Sequence, residues 1–309
     1  MDNNNTKILN SILLFDFIFY VFSNLMIFKY SPSSIYSIWV LSLRDIIIFL
    51  LSIVLYIYFC NPKVGSMLLF PKINNKIVKN SIIIGVAFYL IANSCNILFT
   101  GIFKFTLKST VYLNSIYDIY DLGIGFIFYI IISTILIEMF FRGILNDSFR
   151  FLSYKSKLVL SSLIFSLFFF GFSQILYGFI VGILLMGFLN KVGSILPVII
   201  SSCTINILNY TAKLIGKNVG GENVLKFVSS SKGDVFINFI FPIIIILIGL
   251  VIYSMFEDNV RVKGIEKKIS TNVVELKTNL ETRNVVDVYL ILFFGISLLM
   301  ISISYIFLG

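Results

Sequence analysis

Glu138 and Arg142 stand four residues apart inside the apolar stretch IISTILIEMFFRGILND. At that spacing an acid and a base share one face of a helix, about 6 Å apart along its axis, and acid before base is the favourable order. A charged side chain at the centre of a bilayer costs about 2.5–3.5 kcal/mol on insertion scales, so it needs either a partner or a task. From the spacing alone, the two read as a self-compensating ion pair at a helix end. Asp16 and the pair Arg44-Asp45 are the other charges set in apolar runs. Asp16 is isolated and is expected to face other helices. Arg44 and Asp45, being adjacent, are expected to point in different directions and to mark a second span that begins near Ile46. The chain contains no histidine, so the side chain most used for proton transfer near neutral pH is missing. No cofactor and no metal site is expected. Cys60, Cys95 and Cys203 form no C-x-x-C pair and read as buried, inert thiols.

The elements that must position these groups are membrane helices. Of the 309 residues, 58% are hydrophobic and 13% charged, with 33 Phe and a mean hydropathy of +0.99; a soluble domain of this length needs far more charge on its surface. Apolar runs predict spans over 8–28, 38–60, 81–100, 122–141, 158–172, 175–190, 194–210, 236–256 and 288–308. The predicted fold is therefore all-α, a polytopic transmembrane helical bundle of about nine spans. The fifth to seventh runs are short and closely spaced, and fit either tightly connected spans or partly re-entrant segments. Lys7 leads into the first run with no small-residue cleavage site after it, so that run is expected to remain as a helix.

With nine spans, 16 of the 24 Lys and Arg residues fall in loops on the side of the N-terminus and 8 on the other. This bias predicts a multi-pass cell-membrane protein with its N-terminus in the cytoplasm and its C-terminus outside. The net charge of +9 is explained by these loops, with no basic stripe interleaved with aromatics, so nucleic acid is not an expected partner. The stretch 211–235, with Gly220-Gly221 and Ser229-Ser230-Ser231, is expected to be an outer loop. The charged stretch 257–287 fits equally a surface amphipathic helix and a solvated loop.

The residues around the acid carry a resemblance. Ile137-Glu138-Met139-Phe140-Phe141-Arg142-Gly143 resembles the E-E-x-x-x-R signature of the CPBP family, the CAAX-protease and bacteriocin-processing membrane proteins, which often reads E-E-x-x-F-R-G. Ser161-Ser162-Leu163-Ile164-Phe165 resembles the start of that family's second motif, F-x-x-x-H. Gly182, then Gly193-Ser194-Ile195-Leu196-Pro197, then Asn206 follow the course of its third, H-x-x-x-N. The resemblance divides the chain into N-terminal transmembrane helices (1–121), a CPBP-like core (122–210) and C-terminal loops and helices (211–309). It implies an intramembrane endopeptidase in which a glutamate activates water while two histidines and an asparagine position it and stabilise the oxyanion.

Matched residue by residue, this chain departs from that pattern at the positions that would do the chemistry. The first glutamate is Ile137, the second-motif histidine is Phe169 and the third-motif histidine is Ser202. Glu138, Arg142 and Asn206 remain, while Phe165, which opens the second motif, is counted with the degenerate motif positions. Glu138 lies about 100° around the helix from Ile137, so it is expected to face away from the family's site, occupied by Arg142 as a structural pair. Asn206 is expected to make an interhelical hydrogen bond.

Three function classes follow. The first is a catalytically inactive CPBP-like protein whose partners are membrane lipid and a peptide or another membrane protein, with bacteriocin self-immunity the role that some family members resemble. The second is an active intramembrane endopeptidase acting on membrane-associated or prenylated peptides. The third is a transporter component, for which Asn93, Asn96 and Gln174 are the candidate path-lining residues.

Overall fold

The computed structural model describes residues 3–30, 36–60, 74–103, 131–149, 152–168, 172–218, 236–260 and 287–308. All elements formed by the described residues are helical. They are α1 (Asn3–Tyr30), α2 (Tyr36–Cys60), α3 (Asn75–Phe103), a composite α4, α5 (Tyr154–Leu167), α6 (Phe172–Val192), α7 (Ile195–Asn218), α8 (Phe241–Phe256) and α9 (Val288–Leu308). The composite α4 consists of an α-helical piece, Ser133–Glu138, a π-helical turn, Met139–Ile144, and a final α turn, Leu145–Ser148. A π turn, Phe236–Ile240, leads into α8, and a 3₁₀ turn, Glu257–Val260, closes it. Each predicted span overlaps one of these helices, and residues 122–130 of the fourth and 169–171 of the fifth lie outside the described residues.

Among the described residues, five segments are long and apolar enough to cross a membrane: Asn5–Ser23, Leu43–Cys60, Asn75–Phe99, Gln174–Val192 and Asn238–Val260. The chain is thus a multi-pass helical membrane protein. Its outer surface agrees with this: along α8, Ile243, Ile244, Leu247, Ile248 and Val251 are exposed, as expected of a helix face that meets lipid. The closely spaced trio separates by length. The sixth and seventh helices have 21 and 24 residues, the fifth only 14, rising about 21 Å against a hydrocarbon core of about 30 Å.

Several boundaries differ from expectation for identifiable reasons. α5 begins before residue 158 because Ser153 caps it, its Oγ accepting from the Ser156 amide at 3.2 Å. α2 starts at Tyr36, well ahead of Ile46, because Arg44 and Asp45 do not point apart: Arg44 Nη2 lies 2.6 Å from Asp45 Oδ1, and the guanidinium stacks 4.0 Å over the Tyr20 ring. Neutralised together and covered by an aromatic face, the two charges stay inside the helix. α7 runs on through residues 211–218, the first part of the stretch expected to be an outer loop; 219–235 and 261–286 lie outside the described residues.

Close backbone approach sets the packing. α3 is the hub, lined by α6, α7 and α8. A Cβ on Gly85 would stand 2.7 Å from Thr204 Cβ and 2.8 Å from the Ser201 carbonyl oxygen, so α3 and α7 nearly touch; Ser201 Oγ donates to the Ser81 carbonyl at 2.7 Å across the same seam. The tight turn from α6 to α7 requires Gly193, whose φ is 70°, with its amide bonded to the Leu189 carbonyl at 2.8 Å. On the other side, α2 and α4 enclose an aromatic cluster. The rings of Phe49, Phe141, Phe165, Phe168, Phe17 and Phe293 stand 5.1 to 6.0 Å apart in successive contacts, drawn from α1, α2, α4, α5 with its C-cap, and α9.

Candidate functional site

The acid of α4 faces α7. Glu138 is 1% exposed, and its Oε1 accepts a 2.8 Å hydrogen bond from Ser202 Oγ. Its Oε2 lies 3.2 Å from Arg142 Nε. One turn away, Asn206 Nδ2 donates to Thr134 Oγ1 at 2.8 Å. The two contacts form a pair of rungs because both sides keep the i,i+4 spacing: Thr134 and Glu138 on α4, Ser202 and Asn206 on α7.

The expectation that Glu138 faces away is therefore corrected. Glu138 is the residue directed at the third-motif position, while Ile137 packs, half-buried, on the hydrophobic core. The 100° rotation was right for the helix but did not say which of the two faces α7.

The π turn begins at Met139 and carries Arg142, with the Leu145 amide reaching back five residues to the Phe140 carbonyl. Single π turns of this kind recur at functional sites. Arg142, 3% exposed, is held on its flat face by Phe165, with Cζ 4.2 Å from the ring centroid. Phe165 thus has a partner in the cluster that its motif position alone did not disclose. Arg142 Nη1 and Nη2 have no hydrogen-bond partner among the described residues.

Glu138, Arg142, Phe165, Ser202 and Asn206 therefore meet in one cluster, with Ile137 at its edge. Phe169 lies outside the described residues. The polar line continues past Asn206: Asn209 Nδ2 donates to Tyr177 Oη at 2.5 Å, and Asn93 Nδ2 donates to Asn209 Oδ1 at 3.4 Å and to the Tyr89 carbonyl at 3.1 Å. Asn93 thus joins the α3, α6 and α7 seam, whereas Gln174 is half-buried at the start of α6. Thr134, Tyr177 and Asn209 are the members that sequence reading missed; the signal was their spacing, Thr134 four before Glu138 and Asn209 three after Asn206. The described residues contain no group of three or more His, Cys, Asp or Glu able to hold a metal ion.

A membrane helical bundle with a buried acid–base pair facing an asparagine-bearing helix is the class that these features define. A family model, described as Type II CAAX prenyl endopeptidase Rce1-like, matches residues 121–208. That span contains Glu138, Arg142, Phe165, Ser202 and Asn206, whereas Asn93 and Asn209 lie outside it, and it is this segment that is similar to the Rce1-like endopeptidases of the CPBP family. No curated protein and no solved structure matches the chain.

Proposed function

We propose that this protein uses an Rce1-like scaffold to bind rather than to cleave, holding a peptide or a segment of a partner membrane protein between its helices. The observation that carries this reading is the Ser202–Glu138 hydrogen bond. Where the family pattern has an imidazole, a serine hydroxyl donates to the acid. A hydroxyl with an ordinary, very high pKa does not exchange protons in step with amide hydrolysis as histidine does. The same carboxylate is buried and paired with Arg142, which occupies it further. With Ile137 in place of the first glutamate, the chain is read as a pseudoenzyme.

A binding role also gives the unpartnered nitrogens of Arg142 a purpose. A guanidinium presents a planar fork that matches a carboxylate or another oxyanion, so a ligand bearing such a group would satisfy Nη1 and Nη2. Self-immunity toward a bacteriocin is one biological form of such binding. Membrane lipid is the surrounding partner, with the N-terminus on the cytoplasmic side and the C-terminus outside. Lys191, at the end of α6, pairs with Glu257, after α8, at 2.6 Å; alternate crossings put those two ends on one side, whichever way the N-terminus faces.

The second reading, an active endopeptidase, is favoured by Glu138 and Asn206 lying on adjacent rungs of the α4–α7 interface. The test is a proteolysis assay in liposomes with a quenched peptide library that includes prenylated C-terminal substrates, run beside Glu138→Ala. No cleavage by protein shown to be folded supports the binding role. Cleavage that disappears in Glu138→Ala overturns it.

A further inference from the structure

At the end of the bundle where α1 begins, exposed lysines stand without acid partners. Contacts between helices mark that end. Tyr56 of α2 bonds Ser148 at the close of α4 at 2.7 Å, and Lys191 at the close of α6 bonds Glu257 beyond α8 at 2.6 Å. Alternate crossings bring the starts of α1, α3 and α5 to the same end. There Lys7 on α1, Lys76 and Lys79 on α3 and Lys155 on α5 are exposed, and none of them pairs with an acid among the described residues. With Lys157 and Lys191, six described lysines face four described acids at this end: Asp147, Glu257, Asp258 and Asp287. Of these acids Glu257 is held by Lys191, and Asp287 caps α9 by accepting from the Leu290 amide at 2.9 Å.

Aromatic side chains fix the depth of these cations. Tyr58 and Phe59 at the end of α2, Tyr154 at the start of α5 and Tyr289 at the start of α9 are exposed, Tyr58 by 79%. Exposed tyrosines at the ends of membrane helices belong at the interface, with the ring on the acyl boundary and the hydroxyl among headgroups. Ser52 of α2 bonds Asp16 of α1 at 2.7 Å, which sets the register of these antiparallel helices. Tyr58 comes six residues after Ser52 and Lys7 nine before Asp16, so Lys7 stands about 4.5 Å further out than Tyr58. That is headgroup level, where a lysine keeps its stem on apolar surface and its ammonium among phosphates. Lys155 adjoins Tyr154, and α6 packs against both α5 and α3, so Lys155, Lys76 and Lys79 follow one rim.

We propose that this rim is a binding surface for anionic phospholipid, with Lys7, Lys76, Lys79 and Lys155 set on headgroup phosphates. Charge complementarity selects the lipid. A zwitterionic headgroup carries its own ammonium beside each phosphate and gains little from a lysine, whereas an anionic headgroup leaves its phosphate uncompensated. The rim is separate from the Glu138 cluster, and lipid binds there whether or not that cluster holds a peptide.

The test uses the full chain in phosphatidylcholine vesicles with a trace of spin-labelled phosphatidylglycerol or spin-labelled phosphatidylcholine, whose spectra report association with the protein surface. Wild type should favour the anionic label, by about fivefold at each engaged site, the equivalent of about 1 kcal/mol for a lysine near the surface. Raising the salt should weaken that preference. The variant carrying Lys7→Gln, Lys76→Gln, Lys79→Gln and Lys155→Gln should lose most of it while melting at the wild-type temperature in pure phosphatidylcholine. A preference that this variant keeps overturns the proposal. So does a wild type with no preference, which would leave the rim to an acidic protein segment. The salt series is read on wild type, so it decides even where the variant fails to fold: a preference unmoved by salt overturns the proposal.

Discussion

Ser202 and Glu138, 64 positions apart in the chain, meet at 2.8 Å across the interface of α7 and α4. This one bond joins the first and third motifs and fixes which way the acid points. It also places a serine hydroxyl at the position where the resembled motif has a histidine, which is the contact on which the proposed binding role rests.

The ion pair beneath it should behave as a buried pair. Glu138→Gln leaves Arg142 buried and charged against the Phe165 ring, and should cost about 3–5 kcal/mol in thermal or denaturant unfolding in detergent. Glu138→Gln combined with Arg142→Met should recover most of that loss. A double variant as unstable as the single one would show that the pair is not the source of the cost.

Chemistry should return if the scaffold is intact. On the proposed binding role, Ile137→Glu with Phe169→His and Ser202→His supplies the acid–base set of the resembled motifs, and should produce cleavage of membrane peptides that the wild type does not cleave. Protein that folds but stays inactive would place the deficit in substrate access.

The Asn206–Thr134 rung is measurable by a double-mutant cycle. Asn206→Leu and Thr134→Val should each destabilise, with a coupling of about 0.6 kcal/mol and at most about 1.7, as for other interhelical hydrogen bonds in membranes. Additive losses would contradict the contact.

At Gly85 the prediction concerns geometry alone. A methyl there meets the Ser201 carbonyl at 2.8 Å, so Gly85→Ala should push α3 from α7, strain the Ser201–Ser81 bond and cost about 1–3 kcal/mol. Gly295, with nothing within 4 Å of a built Cβ, is the control: Gly295→Ala should be neutral or slightly stabilising, as a helix interior gains from alanine. Circular dichroism melts of the two variants decide this.

Membrane location and helix number were legible in the sequence because lipid imposes them locally: a segment is apolar over about 20 residues or it does not cross. The i,i+4 partnership of Glu138 and Arg142 was equally local, and so was the absence of histidine, which bounds the chemistry whatever the fold. The sequence did not say that Arg44 turns back on Asp45, since that depends on Tyr20 of another helix supplying a face. Nor did it say which side of α4 meets α7. Helical periodicity gives angles between residues of one helix, whereas facing is set by how two helices pack, here through glycine and serine contacts along α3 and α7. Asp16 follows the same rule: a lone aspartate is visible in the sequence, but its hydrogen bond with Ser52 exists only once α1 and α2 are side by side.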